Sequence, residues 1–488
     1  MLIGIVTQSV LVRYLGIEYN GLNGLFSNIV SMLSVAELGI GSAVVFHLYA
    51  PIAKGEKEKI KSLMLFYKKA YRIIALIIAL VGITIMPFIN NIVGKTSVKE
   101  NIHIIYFLFL LDTVFSYLLT YKRSMLYADQ KNYIINIIHI LYTILLNAIQ
   151  IFFIVTTRNY IICLLTKIIF RILENIIITI IVNKQYPYIL EKDAQKLDNN
   201  IFKDIMKKVK ALIYHKIGGY IVDGTDNIII SYFLGISIVG LYTNYRIIIN
   251  ALSSIISQVF NALTASVGNL LVEEKGKKIY DTYKKLSLMN YFIYFIGSSI
   301  MYCTITLMVQ IIYGKIYAIG KFTVLIIIVC FYIQGMKKNM QLFKEAACIF
   351  YEDRFIPLIE AIVNIITSIF LAKFMGLAGV FIGTIISSLV VYLYSYPKYV
   401  YATILKREKK EYVYEQINYF FIFMITILIL DVIISFIKIE NIYLNLVTNV
   451  LVSMVVSITI FVILYHKTDS FRYYCNFVKS ILKKIKKK

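Results

Sequence analysis

The stretch from Arg13 to Gly55 reads R-Y-L-G-I-E-Y-N-G-L-N-G-L-F-S-N-I-V-S-M-L-S-V-A-E-L-G-I-G-S-A-V-V-F-H-L-Y-A-P-I-A-K-G. An apolar helix ends at Leu15-Gly16, and a short polar turn follows. A long apolar run then holds a single carboxylate, Glu37, and ends in the basic loop K-G-E-K-E-K-I-K. A run of roughly 20 apolar residues closed by charged loops is the pattern of a membrane-spanning helix, which satisfies its own backbone in lipid.

Working outward, the same pattern fills the chain. Of its 488 residues, 59% are hydrophobic, and the mean hydropathy is +0.75. Strands of a membrane barrel would alternate apolar and polar residues over about 10 positions, and these runs do not. The fold class is therefore an all-α polytopic membrane protein. Fourteen helices are expected, at 1–15 (short), 24–50, 70–93, 102–121, 133–157, 159–182, 211–234, 240–271, 286–313, 322–343, 355–372, 377–396, 416–437 and 442–465.

The loop charges check that count. The net charge is +24, from 51 Lys and Arg against 27 Asp and Glu. Of the 51, 39 fall in alternate loops and the tail, and 8 in the opposite loops: Arg13, Lys95, Lys99, Arg158, Lys315, Lys321, Lys373 and Lys438. That strict alternation follows the positive-inside rule and places both termini in the cytoplasm. The same rule, with anionic lipid headgroups, accounts for the basic balance, so nucleic acid is not an expected partner. The 40 Tyr supply the interfacial belt in a chain without Trp. The five Cys have no metal-ligand spacing and read as reduced and structural.

An internal repeat organises the helices. Leu15-Gly16 and Gly21-Leu22 recur as Leu234-Gly235 and Gly240-Leu241; Lys54-Gly55 recurs as Lys275-Gly276. Tyr67-Lys68-Lys69 recurs as Tyr283-Lys284-Lys285, and Ile92-Val93-Gly94 as Ile312-Tyr313-Gly314. Six helices separate equivalent points, and an even number preserves orientation, so the repeat is parallel, an arrangement of transporters. The expected domains are an N-terminal lobe (1–182), an amphipathic cytoplasmic linker (183–210), a C-terminal lobe (211–400), two extra spanning helices (401–466) and a basic tail (467–488). The first-half counterpart of the helix starting near Ala211 would begin before Met1. The repeat thus predicts that helix 1 is short by its first turns.

The segments L-G-I-E-Y-N-G-L-N-G-L-F and S-V-A-E-L-G-I-G-S-A, with the Y-x-P-I-A-K-G loop, resemble oligosaccharide flippases of the Wzx type. These belong to the multidrug/oligosaccharidyl-lipid/polysaccharide exporter superfamily, with the lipid II flippases and the multidrug and toxin extruders. The resemblance implies two six-helix lobes in a V shape, alternating access, and movement of an undecaprenyl-pyrophosphate-linked oligosaccharide between leaflets. It implies surface polysaccharide biosynthesis, of O-antigen or capsule, with a polymerase and other assembly proteins as partners beside the membrane lipids.

Charges inside spanning helices are costly and mark cavities or partners. Lys167, Arg171 and Glu174 share one face of the sixth helix. Arg171 and Glu174 are spaced to pair, which leaves Lys167 as surplus positive charge on a cavity wall suited to pyrophosphate; an interhelical salt bridge that fixes packing is the other reading. Lys216, Arg246 and Arg13 complete the candidate cationic cavity. Glu37, Asp112, Glu174, Asp223 and Asp226 are candidate coupling or gating acids. Asp112 can accept a charge from the sixth helix, and Asp223 and Asp226 are candidates for H⁺ or Na⁺ coupling. His139 and His215 read as packed or interfacial residues. Gly39 and Gly41 suit close helix packing. No cofactor is expected. No Walker A, GxSxG or HExxH pattern occurs, and the longest outer loop spans about ten residues (Ile89–Glu100), too short for a polymerase or ligase site. The chain is expected to be a transporter and no enzyme, with cation-coupled export of small molecules as the alternative function.

Overall fold

A computed structural model describes the chain except residues 1, 38–39, 119, 192–196, 275, 348, 350, 438 and 486–488; the side chains of 2, 35–36, 42, 200, 207–208, 210–217, 220, 223, 265 and 481–485 are also outside the description. The described residues are helical and contain no strand. Nine of their helices are long and apolar enough to cross a membrane. Large apolar side chains such as Ile73, Leu80, Phe152, Phe370, Phe421 and Val455 face outward. Outward apolar surface on this scale suits a lipid environment and would be a liability in water. The protein is an all-α, multi-pass membrane protein.

The helices are α1 (Leu2–Tyr14), α2 (Ile17–Leu33), α3 (Ile40–Lys54), α4 (Lys57–Ile85), α5 (Ile89–Val93), α6 (Ile102–Leu118), α7 (Arg123–Ala128), α8 (Asn132–Thr157) and α9 (Tyr160–Gln185). They continue with α10 (Asn199–Leu234), α11 (Ile236–Glu273), α12 (Lys277–Ile312), α13 (Lys321–Ala346), α14 (Ile356–Leu389), α15 (Lys409–Phe436), α16 (Ile442–Tyr465) and α17 (Asp469–Ile485). The run expected as one helix over 24–50 is divided: α2 ends in a tighter 3-10 turn at Ser34–Glu37, and α3 starts at Ile40. The linker helix and helix 7 are one continuous helix, α10. Gly376 (φ +57°) breaks α14 between the two helices expected there. Beyond it the chain winds more widely, as a π-type helix over Val390–Leu405.

Helix starts follow their local chemistry. The Asn159 side chain accepts from the amides of Ile161 and Ile162, and Asn441 does the same for Tyr443 and Leu444. Each satisfies two of the amide groups that a helix start leaves without a partner. The repeat is visible in the backbone. Gly16 and Gly235, Gly55 and Gly276, and Gly94 and Gly314 all take positive φ. Those values are cheap only for glycine, so matching glycines mark matching turns.

The chain divides into two compact units, Met1–Thr243 and Asn244–Lys488. In the first, α9 packs on α6 and α8, α6 on α4, α1 on α8, and α2 on α10. In the second, α12 is central and touches α13, α15, α16 and α17, with α14 against α13.

The opening motif closes one end of the first unit. Glu18 accepts from the Thr96 hydroxyl (2.5 Å), the Ser97 amide (2.7 Å) and the Ser237 hydroxyl (3.1 Å). The Tyr19 hydroxyl donates to Glu100, and Asn20 bonds Gln8 (2.7 Å) and the Gly240 carbonyl (3.1 Å). A Cβ on Gly21 would overlap the Ile236 carbonyl, and one on Gly240 would overlap the Ile17 carbonyl. These four residues are two repeat-related pairs, so equivalent positions of the two copies meet reciprocally. Backbones approach this closely only where side chains are absent.

Candidate functional site

Apolar helices leave a charged side chain few partners, so the charges of α6 and α9 find each other. Asp112 lies midway along α6 and is buried. It takes Lys167 Nζ at 3.1 Å on one oxygen and Arg171 Nε at 3.4 Å on the other. Arg171 Nη1 also reaches Glu174 Oε2, 3.3 Å away and one helical turn along α9. Glu174 has no exposed side-chain surface. Its Oε2 also meets Arg123 Nη2 at 3.1 Å, and its Oε1 meets His139 Nδ1 at 3.0 Å. Arg123 donates in turn to the Asn175 side-chain carbonyl (2.8 Å), and the Asn175 amide donates to the Phe115 carbonyl (3.1 Å). Two cations also lie over aromatic faces: Lys167 over Phe109 (5.0 Å) and Arg171 over Tyr142 (5.3 Å).

The result is a ladder, Lys167–Asp112–Arg171–Glu174–Arg123, drawn from α6, α7 and α9 with His139 of α8 at its side. From Lys167 to Glu174 it climbs about 10 Å along α9. Three permanent cations face two carboxylates, so the ladder keeps net positive charge with His139 neutral. This corrects the reading of Lys167 as the surplus cation. Lys167 is paired, because Asp112 on the adjacent helix lies within reach, and the excess belongs to the group. His139, read as packed or interfacial, keeps 55% of its side-chain surface exposed and hydrogen-bonds Glu174. Asp112 accepts from the sixth helix as its position in the sequence suggests.

Arg123 connects the ladder to a second feature. Together with Glu37, Tyr67, Tyr71, Tyr127 and Asn132 it lines a cavity of about 370 Å³. The Tyr71 hydroxyl donates to Glu37 Oε1 (2.6 Å), Tyr117 donates to Glu37 Oε2 (3.5 Å), and Tyr67 donates to the Tyr71 oxygen (2.9 Å). Glu37 therefore sits at the break between α2 and α3 as the acceptor of a tyrosine cluster. Gly41 faces the same cluster: a Cβ there would meet Glu37 and the hydroxyls of Tyr67 and Tyr71.

The other candidates are elsewhere. Arg13 is exposed near the end of α1, Asp226 is buried on α10, and Arg246 is half-buried on α11 in the second unit. The side chains of Lys216 and Asp223 lie outside the described residues, as does that of His215. Sequence reading missed Arg123, which it assigned to a charged loop, and the tyrosines around Glu37. A signal existed for the tyrosines: Tyr67 and Tyr71 are four apart, on one face of α4.

Beyond Arg123, Asp129 caps the end of α7. Burial raises its carboxyl, but bonds from Lys131 (2.7 Å) and the Tyr186 hydroxyl (2.5 Å) outweigh this and hold it below its usual range. Burial, reinforced by the bond to Asp129, pushes Tyr186 up to about 12.

Comparison with solved structures establishes the fold. The lipid II flippase MurJ in an inward closed conformation aligns with a TM-score of 0.65 at 14% identity, covering 95% of this chain and 96% of that one. An inward-facing multidrug resistance transporter of the MATE family, in the MOP superfamily, gives 0.61 at 14% identity over 80% and 91%. A mutant of the Vibrio cholerae MATE transporter VcmN gives 0.56 at 14% identity over 80% and 91%. At these identities the likeness is one of fold. No curated protein matches the sequence significantly. Residues 10–319, well over half of the chain, match the family described as polysaccharide biosynthesis protein. With that match spanning the motif, the ladder and the repeat junction, the chain belongs to the polysaccharide biosynthesis protein family.

Proposed function

We propose that this protein is a flippase that carries an undecaprenyl-pyrophosphate-linked oligosaccharide across the bacterial cytoplasmic membrane by alternating access. The observation that carries the proposal is the ladder: net positive charge held among apolar helices, in a chain of a polysaccharide biosynthesis family. Lys167 and Arg171 keep 28% and 22% of their side-chain surface exposed. They have pairing partners yet are not fully enclosed by protein. Pyrophosphate would find a preorganised cationic wall there, and the tyrosine hydroxyls and Asn132 around Glu37 suit sugar hydroxyls. The loop charges support cytoplasmic termini. Coupling to an H⁺ or Na⁺ gradient belongs to the same proposal. Asp112 and Glu174 are both engaged by cations, which suits them less to a coupling ion than to positioning Lys167, Arg171 and Arg123.

The test removes the cation without stranding its partner. In a strain that depends on the gene, Lys167→Gln leaves Asp112 paired with Arg171 and takes the ladder from three cations to two against its two carboxylates. Surface polymer should fall at least tenfold while protein level in the membrane stays normal. Normal polymer at normal protein level would refute the ladder as a substrate wall. Accumulation of a lipid-linked oligosaccharide on the cytoplasmic side in a strain lacking the gene is the expected counterpart, and its absence would favour export of small molecules.

A further inference from the structure

A second cavity of about 370 Å³ lies within the first unit. It is built from the first turns of α4 (Lys61, Met64, Leu65, Lys68), the end of the α6 region (Tyr121, Lys122) and the turn after α9 (Ile189, Leu190, Glu191). These segments adjoin the lysine-rich loops after helices 2, 4 and 6, so the cavity lies at the face that loop charge assigns to the cytoplasm.

Its charges are unequally matched. Lys61 is neutralised by Glu58 and Glu191, each at 2.7 Å. That pair also ties the Ile189–Glu191 turn to α4. Lys122 is only 7% exposed, and its ammonium donates to the neutral Asn183 carbonyl at 2.6 Å. Among the described residues neither Lys122 nor Lys68 meets a carboxylate, and both line the same cavity. A buried cation without a counter-ion is costly, and a second cation beside it raises the cost. The rest of the described lining includes the apolar side chains of Met64, Leu65, Ile189 and Leu190. Glu191 is the carboxylate on the lining, and Lys61 engages it. A cationic corner with apolar lining at the lysine-rich face matches the way basic pockets between spanning helices take phosphate headgroups.

We propose that Lys68 and Lys122 form an anion site for a phosphate group, distinct from the ladder and from the tyrosine cavity. The phosphate can belong to an anionic lipid headgroup or to a soluble phosphate compound. A bound dianion would supply the charge that Lys122 lacks and tie α4, α6 and the turn after α9 together, so occupancy should stabilise the fold.

Thermal unfolding of the full chain in detergent tests this, read by loss of the monodisperse gel-filtration peak. The probes are inorganic phosphate against chloride at matched ionic strength, and phosphatidylglycerol against phosphatidylcholine. Either phosphate or phosphatidylglycerol should raise the midpoint by about 2–4 °C, in proportion to its excess over Kd. A response to inorganic phosphate identifies a soluble ligand, and a response to phosphatidylglycerol alone identifies a headgroup. The gain should vanish in Lys68→Gln with Lys122→Gln. Should that double variant fail to fold, Lys68→Gln alone, at the half-buried position, should reduce the gain at least twofold. Indifference to both probes, or an equal gain in the variants, overturns the proposal.

Discussion

The two units share a helical plan and a repeat, yet their interiors differ in kind. In the first, the side chains that bridge the central helices are ions: Asp112, Arg123, Lys167, Arg171 and Glu174. In the second, stacked rings are the prominent bridges. Tyr291 stacks on Tyr419 at 4.1 Å, Tyr332 on Phe423 at 4.1 Å, and Tyr283 packs edge-on to Phe343 and Tyr401. Among the largest fully buried side chains, only Tyr106 and Phe26 belong to the first unit. The second unit has ion pairs too: Lys284 with Glu415 at 3.2 Å, Lys337 with Glu360 at 3.0 Å, and Lys344 with Asp353, the last of these buried. Buried ion networks rarely stabilise a fold more than apolar residues of the same shape. The ladder is therefore better explained by what it does than by what it stabilises.

Removing Glu174 should break the comparison most forcefully. Glu174→Leu leaves Arg123 and His139 without their carboxylate and Arg171 with only Asp112. Taking one partner from a buried pair costs about 3–5 kcal/mol, so most of the variant should be lost from the folded gel-filtration peak. The contrasting change in the second unit, Glu274→Leu beside the exposed Lys278, should cost about 1 kcal/mol or less. Equal losses would mean that the ladder is no more deeply embedded than the peripheral pairs.

Glycine contacts give a smaller effect and show where both units are tight. Gly21→Ala or Gly240→Ala sets a Cβ against a backbone carbonyl across the reciprocal contact of the repeat. In the second unit Gly335→Ala sets one against the ring of Tyr294, itself buried. Each should cost about 1–3 kcal/mol as overpacking. Gly4→Ala on α1 meets nothing within 4 Å. It should be neutral or gain up to about 1 kcal/mol from helix propensity. Thermal midpoints in detergent rank the four, and a Gly21→Ala midpoint equal to that of Gly4→Ala would remove the close contact from the account.

Much of this was readable in the residues. Apolar runs and loop lysines placed the helices because lipid leaves the backbone no alternative. The repeated glycines placed the turns because positive φ excludes most other residues. The spacing of Lys167, Arg171 and Glu174 put them on one face, and Asp112 was a recognisable acceptor. Arg123 was not recognisable. It lies in a K-R pair that reads as loop charge, and only the bend after α6 turns it inward onto Glu174. Nor could spacing within α9 reveal that Lys167 is paired, since its partner is on another helix. The tyrosine cluster at Glu37 depends on the break between α2 and α3, within a run whose composition reads as one uninterrupted helix.

The finest test of the contrast is a single oxygen atom. In the first unit the Tyr71 hydroxyl serves Glu37 at 2.6 Å and accepts from Tyr67. Tyr71→Phe strips a carboxylate of its shortest bond and should cost about 1.5–3 kcal/mol, the range for bonds to charged groups. In the second unit the hydroxyls of Tyr332 and Tyr412 are buried without a hydrogen-bond partner among the described residues. Tyr332→Phe and Tyr412→Phe remove a desolvated polar atom and keep the ring, so stability should hold within about 0.5 kcal/mol or rise. Tyr71 would then act through its oxygen, and Tyr332 and Tyr412 through their rings. A loss at Tyr332 as large as at Tyr71 would show that its oxygen also holds a bond, and the contrast between these tyrosines would fail.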